Sequence, residues 1–144
     1  MTLTTGGVID FEYIEDDIKA LAKIYQVKEI PFDPFQATQF SIRMLACGLP
    51  LVEVGATVKN FSEPMKLLEA LIIEKKVEFE FDLILLWMFG NVVAKLDLKD
   101  NIFPNKQRNE NKIDGVVAII LALNRATLHE VKKSVYRDRG LMSI

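Results

Sequence analysis

Apolar and polar positions along the chain repeat with two periods, and these periods predict its secondary structure. After Asp10, apolar residues recur three to four positions apart from Ile14 to Tyr25, which is typical of an amphipathic helix. Acidic residues fill the first turns of this helix, where the positive end of the helix dipole favours them. We interpret these acids as a solvated helix face rather than a metal site: Glu12, Glu15, Asp16 and Asp17.

A strand–helix–strand unit is predicted next. The first strand covers 27–33 and ends before Pro34, a helix covers 35–47 and ends at Gly48, and the second strand covers 51–54. A helix between two strands gives a parallel pair, because antiparallel neighbours need only a short turn. The pattern therefore predicts an α/β fold.

The second half of the chain alternates helices with strand-like segments. We predict a helix that Ser62 and Pro64 open, a half-exposed strand over 77–82, a helix over 83–89 capped by Asp82, a β-hairpin over 92–104, and a helix over 114–133 with a solvated basic tail. Trp87, Met88 and Cys47 are predicted to be buried.

Composition limits the picture to one soluble domain, residues 1–144. Half of the residues are hydrophobic (50%), 26% are charged and the net charge is −2, so DNA contact would have to come from local patches. Cys47 is the single cysteine, which excludes an internal disulfide and fits a reducing cytoplasm. No signal peptide, membrane-spanning run or GxxxxGK[ST] nucleotide-binding pattern is present.

Two aspartates lie where metal ligands are expected in α/β proteins. Asp33 falls at the carboxyl end of the first strand, the edge at which ligands bind, although it could equally form an Asp-Pro turn that opens the next helix. Asp114 lies at the start of the long apolar helix, after the polar loop 105–112. It is either a helix N-cap or a metal ligand at the rim of the sheet.

Short segments in a fixed order extend this local interpretation. They are Phe32-Asp33-Pro34, Ser62-Glu63-Pro64-Met65-Lys66, Trp87-Met88, Asn91-Val92-Val93, Asp97, Asn101-Ile102, Pro104, Lys106 and Ile113-Asp114-Gly115-Val116-Val117-Ala118. Together they resemble the C-terminal nuclease domain of the terminase large subunit of tailed phages, of the HK97-like type. The resemblance runs from about Leu3 to Ala126, and the order and spacing of the segments carry it.

The resemblance implies a fold, a reaction and a site. The fold would be a truncated RNase H-like one: a short parallel βαβ core with flanking helices and a β-hairpin. The family cuts concatemeric double-stranded viral DNA by two-metal hydrolysis, with Mg²⁺ or Mn²⁺ held by carboxylates. The motif acids fall on Asp33 and Asp114, which we predict to come close enough to share one cation, with Asp97 as a third candidate ligand. Lys106 matches a recurrent basic position that would contact a DNA phosphate; the alternative is a solvated loop lysine. Implied partners are the terminase ATPase domain, the small subunit and the portal.

Departures from the family pattern bear on activity. The family's first catalytic aspartate lies on an opening strand upstream of the first residue here, and Asp10 matches a later helix-start acid instead. Ala56 replaces a usual Gln, and 79–83 replaces a segment with His, Gly and Pro. We therefore predict weak or absent nuclease activity. The alternative function is an inactive prophage remnant that serves only as a scaffold or interaction module. Without the opening strand, the edge of 27–33 would be unpaired, which predicts a homodimer through this strand.

Overall fold

The structure is a computed structural model that describes residues 10–129. Five helices and four strands follow one another in this range, and none of these helices is both long and apolar enough to cross a membrane. In chain order the elements are α1 (Phe11–Ile24), β1 (Ile30–Phe32), α2 (Thr38–Ala46), β2 (Leu51–Glu53), α3 (Val58–Ile73), α4 (Leu83–Gly90), β3 (Val92–Leu96), β4 (Ile102–Lys106) and α5 (Asp114–His129).

The strands form two small sheets of different kinds. β1 and β2 are parallel, with Ile30 opposite Leu51 and Phe32 opposite Glu53, and α2 connects them. β3 and β4 form an antiparallel hairpin in which Val92 lies opposite Lys106. The predicted α/β fold, with a parallel βαβ unit, flanking helices and a β-hairpin, is therefore confirmed. β1 is shorter than predicted and begins at Ile30.

The core lies between α3 and α5, with β2 and β4 against it. Phe61 of α3 and Ile120 of α5 are fully buried, and the Phe61 ring stacks on Phe103 of β4 with the ring centroids 5.4 Å apart. Ser62 strengthens the same junction, because its Oγ accepts a hydrogen bond from the Ile102 backbone N–H. These contacts fix the hairpin and α5 relative to the sheet.

An ion pair joins α1 to α2 and corrects one prediction. Asp10 caps α1, accepting from the Glu12 N–H. Glu15, however, is only 4% exposed rather than solvated. Arg43 Nε donates to Glu15 Oε1 at 2.7 Å, which compensates the buried charge. Periodicity could not identify this acid, because its partner lies twenty-eight residues away.

The start of α3 differs from the prediction, and the difference explains a contact between helices. Thr57, rather than Ser62, caps the helix by accepting from the Asn60 N–H. Pro64 therefore lies inside α3, where it has no N–H to donate to the Asn60 carbonyl four residues earlier. Asn124 of α5 replaces that bond, with Nδ2 donating to the Asn60 oxygen at 2.9 Å.

Three further sequence predictions differ from the structure. Residues 77–82 form no strand within the described part, and they pair with neither sheet. Trp87 is 49% exposed, whereas Met88 packs against the core as predicted. Cys47 is exposed, since it follows the last residue of α2 and lies beyond the packed turns. The predicted basic tail after Lys132 lies outside the described residues.

Candidate functional site

Asp33 follows β1 directly and forms a turn with one of its two carboxylate oxygens. Its Oδ1 accepts from the Phe35 N–H at 3.0 Å, which is the Asp-Pro turn considered above. Within residues 10–129 its Oδ2 has no hydrogen-bond partner. The turn therefore orients this carboxylate at the carboxyl end of the strand and leaves one oxygen for a ligand.

Asp114 is the first residue of α5, and its carboxylate is exposed. Over the described part of the chain, this carboxylate has neither a hydrogen bond nor an ion pair, so the N-cap hypothesis is wrong. The buried neighbour Ile113 anchors the helix start instead, with its carbonyl accepting from the Val117 N–H. The Asp114 carboxylate is therefore accessible to a cation and lies at a helix end whose position is fixed.

Gly115 lets α4 approach the first turn of α5 closely. Its N–H donates to the Met88 sulfur at 3.2 Å. A Cβ at this position would lie 3.0 Å from Leu85 Cδ1 and 3.1 Å from Met88 Sδ, closer than side-chain carbons normally pack. The absence of a side chain at Gly115 thus fixes how Asp114 is placed beside α4.

Lys106 and the start of α5 are joined through Asn91. Lys106 ends β4 and is half-buried. The next residue, Gln107, donates its N–H to the Asn91 carbonyl at 3.1 Å, and Asn91 Nδ2 donates to the Lys112 carbonyl at 3.1 Å. The chain therefore leaves Asn91 just after Lys106 and returns to Asn91 at Lys112, two residues before Asp114.

Asp97 closes the opposite end of the hairpin from Lys106. Its Oδ1 accepts from the backbone N–H groups of Lys99 and Asn101, and its Oδ2 accepts from Asn101 Nδ2 at 2.8 Å. The Asn101 side chain, followed by these backbone donors, lowers the pKa of Asp97. These bonds give Asp97 a structural role in the turn, and its predicted role as a third ligand stays a prediction.

Glu29 and Arg125 tie β1 to α5, the two elements that carry the candidate ligands. Arg125 donates to both carboxylate oxygens of Glu29, through Nε at 2.5 Å and through Nη2 at 3.1 Å. His129 Nε2 lies 3.0 Å from Glu29 Oε1. The Arg125 hydrogen bond is the largest cause that lowers the pKa of Glu29 to about 2. This clamp fixes the crossing of α5 over the start of β1.

The contacts thus connect α5 with β1 and with Lys106, while Asp97 lies apart. Among the described residues, no group of three or more His, Cys, Asp or Glu side chains could hold a metal ion. A metal site in this part of the protein would rest on two acids at most. The closeness of Asp33 to Asp114 stays a prediction.

Three positioning features were not predicted from the sequence: the Asn91 bridge, the Glu29–Arg125 clamp and the close approach at Gly115. The first two left no local signal, because their partners are distant in sequence. The glycine directly after an acid at a helix start was the available signal for the third.

Comparison with known proteins decides the family. The family model described as "Terminase large subunit, endonuclease domain" matches residues 1–130. The chain belongs to this family. The resemblance inferred from the ordered motifs is therefore confirmed.

Similarity to individual proteins is partial in length. The chain is 41% identical over 132 residues to Protein YmfN of Escherichia coli (strain K12), which covers 90% of the chain and 29% of YmfN. It is 27% identical over 125 residues to the terminase large subunit of Enterobacteria phage HK97, covering 85% of the chain and 25% of that protein.

The fold agrees with this relationship. The crystal structure of the HK97 bacteriophage large terminase superposes with a TM-score of 0.75 at 27% identity, covering 85% of the chain and 26% of the larger protein. The terminase nuclease chain described here therefore spans between a quarter and three tenths of the length of the proteins that it matches.

Proposed function

We propose that this terminase nuclease chain binds a divalent cation, Mg²⁺ or Mn²⁺, through Asp33 and Asp114. The Asp114 carboxylate carries the proposal: it is exposed at a helix end anchored by Ile113 and Gly115, and it has no partner within residues 10–129. Asp33 adds one carboxylate oxygen that its turn leaves available. Carboxylate oxygens are the hard donors that these cations prefer, so the residues present fit the metal.

We further propose that DNA phosphate binds beside this pair of acids. Lys106 would supply positive charge to a phosphate, and the amino end of α5 would supply its helix dipole. A bound cation would neutralise charge on the phosphate oxygens and activate a water molecule for attack. In this proposal, Asp33 and Asp114 hold the cation, and the substrate class is double-stranded viral DNA.

Cleavage by this chain alone is proposed to be weak or absent. Two-metal hydrolysis needs enough ligand charge for both cations, and the described residues offer no cluster of three acids. The test is plasmid nicking with Mn²⁺ by the unmodified chain and by an Asp114→Asn variant. Robust nicking that disappears in the variant would show that the acids of this chain suffice for catalysis.

We propose that a chain of this kind contributes to a larger protein. The partners proposed for that protein are the terminase ATPase domain, the small terminase subunit and the portal. This proposal rests on family membership and on the partial length of the match. Co-purification with a separately expressed HK97-like ATPase domain would test the first of these contacts. Failure of the two proteins to associate at micromolar concentration would count against it.

A second candidate function, an interaction module without catalysis, has one observation in its favour. α4 carries no charged residue, and Leu83, Leu86 and Trp87 expose between 49% and 69% of their surface. Contiguous apolar surface of this kind marks contact sites more often than free surface. If the chain binds no Mn²⁺ and still associates with a terminase partner, and Trp87→Glu abolishes the association, the interaction module is the better description.

A further inference from the structure

We infer that Asn91 is a positioning residue that keeps the loop 107–112 closed and thereby sets Lys106 and Asp114 relative to each other. This inference rests on the proposed function of these two residues and names the residue that holds them in position. Asn91 lies between α4 and β3 and is 7% exposed, although its side chain is polar. A buried amide needs partners, and these partners identify its role.

Both hydrogen bonds that tie the loop to the rest of the described fold end on Asn91. Its backbone carbonyl accepts from the Gln107 N–H at one end of the loop, and its side-chain Nδ2 donates to the Lys112 backbone carbonyl at the other end, each at 3.1 Å. The loop itself contributes one internal turn, Asn111 N–H to the Arg108 carbonyl. Its side chains are mostly exposed, so packing adds little to hold it.

The position of Asn91 connects this closure to α5. Asn91 caps the carboxyl end of α4, with its N–H donating to the Met88 carbonyl. The Met88 sulfur accepts from Gly115, one residue beyond Asp114. The end of α4 therefore holds the chain on both sides of Asp114, at Lys112 and at Gly115, and holds it again just after Lys106.

The chemistry of the side chain makes the assignment specific. An asparagine at this position donates through its amide to a carbonyl, whereas an aspartate of the same shape would place a carboxylate oxygen against the Lys112 oxygen. Alanine would keep the backbone bond to Gln107 and lose the bond to Lys112. Removing a group that orients metal ligands without touching the metal typically changes metal affinity by about 10- to 100-fold.

The test compares Asn91→Ala and the isosteric Asn91→Asp with the control Ser62→Ala. Ser62 is also buried and polar, and its Oγ holds the N–H of Ile102 at the other end of β4. The control thus loses one buried hydrogen bond without touching the loop. Amide hydrogen exchange of each variant is measured without metal, and the dissociation constant for Mn²⁺ is measured by titration calorimetry.

The expected result is faster exchange confined to 107–112 and 113–115 in both Asn91 variants, with the hairpin still protected. Mn²⁺ binding should weaken by at least about 10-fold relative to Ser62→Ala. The isosteric Asn91→Asp keeps the side-chain volume, so it reports on the bond even if the alanine variant unfolds. Exchange in the loop equal to that of the control would overturn the inference.

The two readouts separate this inference from the proposed function. If the unmodified chain binds no Mn²⁺, the proposed cation site fails, and hydrogen exchange alone decides whether Asn91 closes the loop. If the unmodified chain binds Mn²⁺ and the Asn91 variants bind it equally well, the cation site stands and the positioning role is wrong.

Discussion

The contact between Pro64 and Asn124 makes a quantitative prediction about how α5 is held on α3. Pro64 leaves the Asn60 carbonyl without its helical donor, and Asn124 Nδ2 takes that place at 2.9 Å. If the two residues are linked in this way, the contribution of the Asn124 side chain to the free energy of unfolding depends on the proline. A double-mutant cycle with Pro64→Ala and Asn124→Ala isolates the dependence.

The expected magnitude follows from the hydrogen bond. A net intramolecular bond contributes about 0.5–1.5 kcal/mol to the free energy of unfolding, and leaving the partly buried carbonyl unpaired raises the loss to about 1–3 kcal/mol. In the Pro64→Ala background, the substituted alanine has a backbone N–H that can donate to the Asn60 carbonyl, so Asn124→Ala should lose almost nothing. We therefore expect a coupling energy of about 1–3 kcal/mol.

Other effects of the substitutions cancel from the cycle. Alanine exceeds asparagine in helix propensity by up to about 0.7 kcal/mol, and this gain is the same in both backgrounds. The change in volume at Pro64, which is buried, is likewise common to both variants that carry it. The coupling energy thus reports on the carbonyl alone.

Urea unfolding at fixed pH measures all four proteins. Each ~1 kcal/mol of coupling corresponds to a difference of roughly 2–4 °C in midpoint temperature, which thermal unfolding would detect independently. If Asn124→Ala costs the same free energy with and without Pro64, the carbonyl is not the link between these helices, and the reasoning is wrong.

Three further predictions concern the clamp, the sheet edge and the basic position. The pKa of Glu29 is lowered to about 2, below its ordinary value of 4.5, so the stability that it contributes is complete above about pH 4.5 and is lost as the pH falls towards 2. Arg125→Met should therefore reduce the loss of stability between pH 4.5 and 2, measured as the shift of the urea midpoint with pH. A shift equal to that of the unmodified protein would contradict the clamp. Within the described residues β1 pairs with β2 alone, so we predict that its second edge pairs with a second copy of the chain to form a dimer. Light scattering should show this dimer and should show that Phe32→Lys converts it to a monomer; a monomeric parent at high concentration would refute the prediction. Lys106→Ala should lower the slope of log DNA affinity against log salt by about one, and an unchanged slope would mean that Lys106 contacts no phosphate.

Local patterns in the sequence predicted most of the secondary structure, because they report on interactions between near neighbours. The Asp82 cap lies where expected, since it acts within three residues. The parallel pairing of β1 and β2 followed from the helix between them. The predicted start of α3 was wrong because Pro64 signals a helix start in isolation, whereas here it lies inside the helix and the distant Asn124 donates to the Asn60 carbonyl that Pro64 cannot reach.

The candidate site was predicted only as far as single residues. Asp33 and Asp114 were found from their positions at element ends and from the resemblance. The groups that position them were not, because Asn91 binds backbone atoms and Glu29 binds a residue ninety-six positions away. Such contacts depend on tertiary packing, which no local period encodes.

Titration of the metal-free chain with Mn²⁺ tests the central claim most directly. The unmodified protein should bind Mn²⁺, and both Asp33→Asn and Asp114→Asn should weaken binding by at least about 10-fold. Asp16→Asn serves as the matched control, because it removes an exposed acid of α1 that pairs with Lys19, and it should leave Mn²⁺ affinity unchanged. Asp97→Asn then shows whether the third candidate acid contributes to binding. A chain that binds no Mn²⁺, or whose affinity depends on Asp97 and not on Asp33 and Asp114, would contradict the proposed site.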